Sequence, residues 1–494
     1  MDADALFCRA ENCINQGDVK CAEKILEKFD SMEHTPELRY MISHLMKDLG
    51  SKKGNVKYID DAINNFKTLK ENDFEDINFS LGTAYALKYH ALEEKPNYLT
   101  KDYKNHLLFK SKKSLKEELI ANPNVNLRKT LMNLANVYDD LGRTIEAIDI
   151  YDEIIEQCGS AYALLNKGIS LYNYSSFMYN PTPILSEAYS YFKFISNHTK
   201  SSVELKQKAN YFIDKIKFVF DENILDENVT VDLRRPMEDT FESFMINYCL
   251  DNRLYLNLCN FCQRCENAIG DKIGIEKMIR EIVETEKDDP LWVLSSYLNQ
   301  LKMDYVSARF LLILSQYPDF DLDIITKHVL IVDTQFGEEN DIRTQLLKDA
   351  FKNFFNILDK ISYFMNDYLN LGVSQSSIGF QNVWFKKGKY NKGINEKLLK
   401  MDNEGLTALY DIYLELKKGN EKFYLRDTRN LLTHKYLRIT ADPSESSKTL
   451  EDLHNETIEI AILSKNAIIY LLNLVKINED QKEQDLSIDF INEI

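Results

Sequence analysis

The sequence predicts an all-α protein, and three observations predict it. Glycine and proline number only 16 and 9 in 494 residues, so sharp turns are scarce and long helices are the natural outcome. Apolar residues recur at spacings of three and four, most clearly at Leu347, Phe351, Phe354, Leu358, Ile361, Met365 and Tyr368. Hydrophobic residues make up 44% of the chain and charged residues 28%, which excludes wholesale disorder, collagen-like repeats and a membrane channel. At roughly 150 residues per domain, this length allows about three domains.

The first segment, 1–222, is repetitive. Arg128 to Gly159 reads as two amphipathic helices around Gly142, with Leu134, Ala135 and Tyr138 lining the first and Ala147, Tyr151 and Ile154 the second. A further unit opens with Lys167, Gly168 and Leu171 and continues, after an insertion at Pro181 and Pro183, with Ala188 and Phe192. Gly168 follows Ala135 by 33 positions. Upstream, Leu81, Gly82 and Tyr85 repeat the first-helix pattern, while Ala62 with Phe66, and Gly17 with Ala22 and Leu26, repeat the second. This pattern resembles the tetratricopeptide (TPR) repeat, whose period is about 34 residues. The resemblance implies four or five degenerate units stacked into a solenoid, with a concave face for a protein or peptide ligand. An all-helical array with alanine at its crossings is the alternative. Either way this half is a binding or sensing surface.

The segment 223–340 keeps a helical period, as in Leu291 to Leu301 and Val306 to Leu314, without the repeat spacing. It reads as a connecting domain. Its chemical feature is Cys259, Cys262 and Cys265, with Cys249 upstream, a set of thiols that can hold a structural zinc ion. Three ligands on one continuous helix would diverge, so zinc requires a break there; buried thiols acting as small hydrophobes are the other reading. The eight cysteines, without a secretory signal after the acidic start Met1-Asp2-Ala3-Asp4, suggest reduced thiols in a cytoplasmic protein. The most apolar stretch, Ile458 to Val475, is interrupted by Glu459, Lys465 and Asn466, so no membrane association is expected.

The segment 341–481 predicts a four-helix bundle followed by a tail, 482–494. Its helices run from Leu346 to Leu371 with Gly372 ending the first, from Leu406 to Lys418 ending at Gly419, from a cap at Asp427 or Thr428 through Arg429, Leu432 and Tyr436, and from Leu453 to Lys476. On the third, Asn430 and His434 are one turn apart and Arg429 lies beside them near the expected positive end of the helix, where an anion is favoured. The charge pattern agrees. The chain carries a net charge of -17, yet Leu371 to Thr440 holds 13 Lys and Arg against 7 Asp and Glu. Arg426, Lys435, Arg438, Lys386, Lys387, Lys389 and Lys392 are candidate phosphate-binding residues, with Trp384, Phe385, Tyr390 and Tyr424 as candidate stacking surfaces for unpaired bases.

The run Arg429-Asn430-Leu431-Leu432-Thr433-His434-Lys435-Tyr436 resembles the motif of the HEPN superfamily: arginine, often a following polar residue, histidine after four to six intervening residues, and in many members tyrosine two residues further on. The resemblance implies a metal-independent endoribonuclease that needs no catalytic cofactor. His434 would move the proton, Arg429 would stabilise the phosphate and Asn430 would orient either one. One motif supplies one histidine, and HEPN ribonucleases pair two domains across a shared cleft, so a homodimer through this domain is implied. The TPR half would then restrain or release an RNA-cutting defence or toxin effector. Two other readings remain. One is a non-catalytic TPR-HEPN adaptor or nucleotide-binding module. The other is a toxin regulated by AMP transfer to Tyr436, the position modified in HEPN toxins paired with a nucleotidyltransferase.

Overall fold

The computed structural model describes residues 3–29, 32, 35–72, 74, 77–124, 127–175, 181–221, 225, 235–258, 266–274, 290–331, 340–442 and 447–492. The protein is all-α, 74% helical, with one pair of two-residue strands among the described residues. It divides into two compact units, Met1–Gly159 and Ser160–Ile494. The division falls inside the segment expected to form one repeat domain.

The first unit is a row of helices: α1 (Ala3–Asn15), α2 (Val19–Phe29), α3 (Pro36–Lys53), α4 (Val56–Glu71), α5 (Ile77–Ala91), α6 (Leu107–Ala121), α7 (Leu127–Asp140) and α8 (Thr144–Cys158). Each packs chiefly on its sequence neighbours, an arrangement compatible with repeats. Small residues set the crossings. A Cβ on Gly82 would stand 2.6 Å from Leu115 Cγ, so α5 and α6 approach only because that position lacks a side chain. Gly142, at φ +70°, makes the expected turn between α7 and α8. The α1–α2 turn, with Gly17 at φ +78°, brings the end of one helix beside the start of the next, and Cys13 and Cys21 form a disulfide there. The expectation of eight reduced thiols therefore fails for this pair. Cys8, Cys158 and Cys249 are free.

The second unit begins with α9 (Ala161–Tyr174), α10 (Thr182–Asn197) and α11 (Val203–Val219). Gly168 faces the Phe192 ring, as the predicted helix pair requires, and buried Lys167 pairs with Glu187 at 3.2 Å. These helices belong to the same unit as the C-terminal helices, and Asn473 Nδ2 donates to the Tyr174 hydroxyl at 3.3 Å. After α12 (Phe241–Asp251), the bundle is formed by α13 (Pro290–Gln316), α14 (Ile342–Tyr368), α15 (Glu404–Glu415), α16 (Phe423–His434) and α17 (Leu450–Asn492). The apolar stripe read from the sequence of α14 is its buried face: Leu347, Phe351, Phe354, Leu358, Ile361 and Met365 are inaccessible to solvent.

Three boundaries differ from expectation. The helical pattern of 291–314 is a single helix packed along α14, so it is part of the bundle rather than of a connecting domain. The final helix runs on to Asn492, through most of the expected tail. Finally, α16 starts at Phe423, so Thr428, expected as a cap, lies inside the helix, buried, with its hydroxyl donating to Glu456 Oε2 at 2.8 Å. Among the described residues, the segment Leu450–Lys482 is long and apolar enough to cross a membrane, and 83% of its most apolar window is buried inside the fold.

Candidate active site

The short strands β1 (Arg438–Ile439) and β2 (Ser447–Lys448) pair in parallel between α16 and α17. Helix α16 is fixed from two sides. Leu425 and Thr428 point inward; Glu456 on α17 accepts from Thr428 and pairs with Lys448, while Glu459 accepts from both Lys422 and Tyr424. On the other side, the Arg429 guanidinium lies 5.7 Å over the Phe355 ring, and its Nη2 is 3.6 Å from Asp359 Oδ2 on α14. Asp359 Oδ1 accepts from the Phe380 amide at 2.9 Å, so one carboxylate ties the loop after α14 to the arginine.

Arg429 and Asn430 thus sit in the middle of the helix, and His434 is its last residue. The expected position at the positive end is corrected: the motif occupies the C-terminal half of α16, where the helix dipole offers an anion nothing. Any anion affinity must come from the side chains. Arg429 is a quarter exposed and donates from Nη1 to Asn430 Oδ1 at 3.4 Å, while its buried Nε–H has no hydrogen-bond partner among the described residues. Asn430 is half-buried, and His434 is exposed one turn further on, with no hydrogen bond to a described residue. The arrangement offers a positioned, partly exposed cation and, five positions further along the same helix, an imidazole open to solvent. Such groups can bind a phosphate and exchange a proton with it.

The basic candidates separate. Arg426 Nη1 donates to Gln381 Oε1 at 3.0 Å, Lys386 pairs with Glu396, and Lys387, Lys389, Lys392 and Lys435 are exposed. Arg438 is half-buried in β1. Trp384 and Phe385 are core residues, 0% and 1% exposed, and are not available for base stacking; Tyr390 and Tyr424 keep 48% and 41% of their surface. Burial and the Glu459 carboxylate push the Tyr424 phenol well up, so it stays a neutral donor. Tyr436 lies beyond the helix and is 59% exposed, not in the core. Cys259, Cys262 and Cys265 lie outside the described residues. Cys249 is buried, and burial pushes its thiol up to about 12. The described residues contain no group of three or more His, Cys, Asp or Glu side chains placed to hold a metal ion.

Sequence reasoning missed Asp359 and Glu456, which hold the two sides of α16. Their only signal was a carboxylate at the border of an apolar helical stripe.

Residues 285–478 match the family model described as LA2681-like HEPN. This supports a C-terminal HEPN domain. The match covers about two fifths of the chain and begins near α13 rather than at residue 341, in keeping with the packing of α13 along α14. No curated protein matches the chain.

Proposed function

We propose that the HEPN domain is a metal-independent endoribonuclease. The observation that carries this reading is the presence, on one helix of that domain, of a partly exposed Arg429 guanidinium held by Asp359 and of His434 open to solvent. In the proposed reaction the ribose 2'-oxygen attacks the adjacent phosphorus, the new O2'–P bond forms and the bond to the 5'-oxygen breaks. The 2'-hydroxyl proton goes to a base and the leaving 5'-oxygen receives one from an acid, giving a 2',3'-cyclic phosphate and a 5'-hydroxyl. Arg429 stabilises the charge on the non-bridging oxygens, and His434 takes one of the two proton-transfer roles. His434 of a second copy fills the other, which is the chemical reason to expect a homodimer through this domain. Asn430 orients the arginine to which it is already bonded.

The substrate is RNA, and the helical row at the N-terminus is read as a TPR-like sensor for a protein or peptide that restrains or releases the nuclease. The wider role, a cytoplasmic defence or toxin effector, rests on resemblance alone. Purified protein is expected to cleave single-stranded RNA in EDTA, and His434→Ala to lower the rate by about 10²–10⁴-fold. Absolute dependence on a metal ion, or RNA ends identical for wild type and variant, overturns the mechanism.

A second reading draws on the lack of a hydrogen bond from any described residue to His434, since a proton-transfer group is usually held by a partner. In that case the chain is a non-catalytic adaptor or nucleotide-binding module, and His434→Ala leaves RNA integrity in cells unchanged. The exposed Tyr436 also suits modification by AMP, which mass spectrometry of protein from its native cell would detect at that residue.

A further inference from the structure

Between Val383 and Asn395 the chain forms a hairpin rooted in the core. Phe385 and Ile394 face each other as an antiparallel bridge, Lys386 N donates to Gly393 O at 3.0 Å, and Asn395 N donates to Trp384 O at 2.9 Å. The root is apolar and buried, and Trp384 Nε1 donates to Phe380 O at 2.7 Å. The tip is the opposite. It carries Lys386, Lys387, Lys389 and Lys392, of which only Lys386 is paired, to Glu396. Lys387, Lys389 and Lys392 are exposed and have no carboxylate partner among the described residues. Lys387 even holds φ at +54°, a conformation that L side chains avoid, followed by Gly388 at +67°. A rigid stem therefore presents uncompensated positive charge from a chain whose net charge is -17. Such a local surplus attracts a polyanion that the rest of the chain repels.

The hairpin and the residues leading into it are joined to the start and the middle of the motif helix. The upstream residues hold Asp359 through Phe380 N and Arg426 through Gln381, and the hairpin tip meets Lys417, whose ammonium lies 4.6 Å from the Tyr390 ring centre, just before α16 begins. At about 1.5 Å per residue, His434 is about 16 Å along the helix from Phe423. The tip thus meets the chain on the N-terminal side of α16, and Arg426 lies along the helix between that end and the motif. We propose that this hairpin is a platform for the RNA backbone flanking the cleaved linkage. The identity of the polyanion rests on the ribonuclease reading.

The test uses the full chain carrying His434→Ala, so that RNA is bound without being cut. Affinity for a labelled single-stranded RNA of about sixteen nucleotides is measured by fluorescence anisotropy across salt concentrations. Combining Lys387→Gln, Lys389→Gln and Lys392→Gln is expected to lower the slope of log affinity against log salt by about 2, near 0.7 for each phosphate of a single strand that is no longer neutralised. The matching three Lys→Arg changes are expected to retain the slope, which separates lost charge from lost folding. An unchanged slope in the Gln variant overturns the platform. So does hairpin-dependent binding of an acidic peptide or of anionic vesicles with RNA affinity unaffected. A wild type that cuts no RNA, combined with a hairpin-dependent slope, removes the nuclease reading and leaves the platform standing.

Discussion

Arg429 shows how far a single residue can be read without its neighbours. Its identity and spacing to His434 were legible, but its state was not. The fold gives it a carboxylate at 3.6 Å and an aromatic face, and no described residue accepts from its Nε–H. A lysine there would keep the charge and lose the planar fork. Arg429→Lys is therefore expected to lower RNA cleavage by about 10²–10³-fold, the range seen when one charge-stabilising donor is removed, as measured by single-turnover kinetics with saturating protein. Trp384 teaches the reverse lesson. Aromatic residues beside lysines look alike in sequence whether they stack on bases or root a hairpin, and only burial tells them apart. Trp384→Ala is expected to destabilise the protein by about 3–5 kcal/mol, read from the urea midpoint.

At the scale of the element, helix existence was readable from the apolar period, while helix ends followed side-chain partners remote in sequence. Thr428 had the chemistry of a cap, but Glu456 on α17 claims its hydroxyl, and the helix begins five residues earlier. Gly405 was not singled out at all. A Cβ there would lie 2.4 Å from Leu474 N and 2.5 Å from Tyr470 O, both backbone atoms of α17 that cannot rotate aside. Gly405→Ala must therefore push α15 off α17, at a cost of about 1–3 kcal/mol or more. Thermal unfolding followed by circular dichroism checks this, with a fall of several degrees expected.

The scale of the whole molecule governs pH response and assembly. In the first unit, burial, with Lys47 and Lys129 adding to it, holds the His44 imidazole down at about 3, and His44 Nε2 lies 2.9 Å from Ser80 Oγ. An unfolded histidine titrates near 6.5, so below that pH the unfolded chain takes up a proton that the folded chain refuses. Stability is therefore expected to fall by up to about 1.4 kcal/mol per pH unit as pH drops from about 6.5 toward 3. His44→Gln should flatten this component in urea titrations at pH 7 and pH 5. If two copies complete the proposed cleft, specific activity falls on dilution in step with dimer dissociation seen by analytical ultracentrifugation. Activity independent of concentration across that transition would remove the dimer requirement.

By itself the sequence determined the all-α class, the helix pair around Gly142, the buried stripe of α14 and the Arg429–His434 spacing. These are properties of local period and residue type, which a helix expresses wherever it packs. Tertiary structure alone decided which helices share a unit, that α13 joins the bundle, that Trp384 and Phe385 turn inward, and that the motif lies toward the end of α16 rather than its start. Those outcomes depend on partners far apart along the chain, such as Asp359 with Arg429 and Glu456 with Thr428. No local period encodes a partner that only packing brings near.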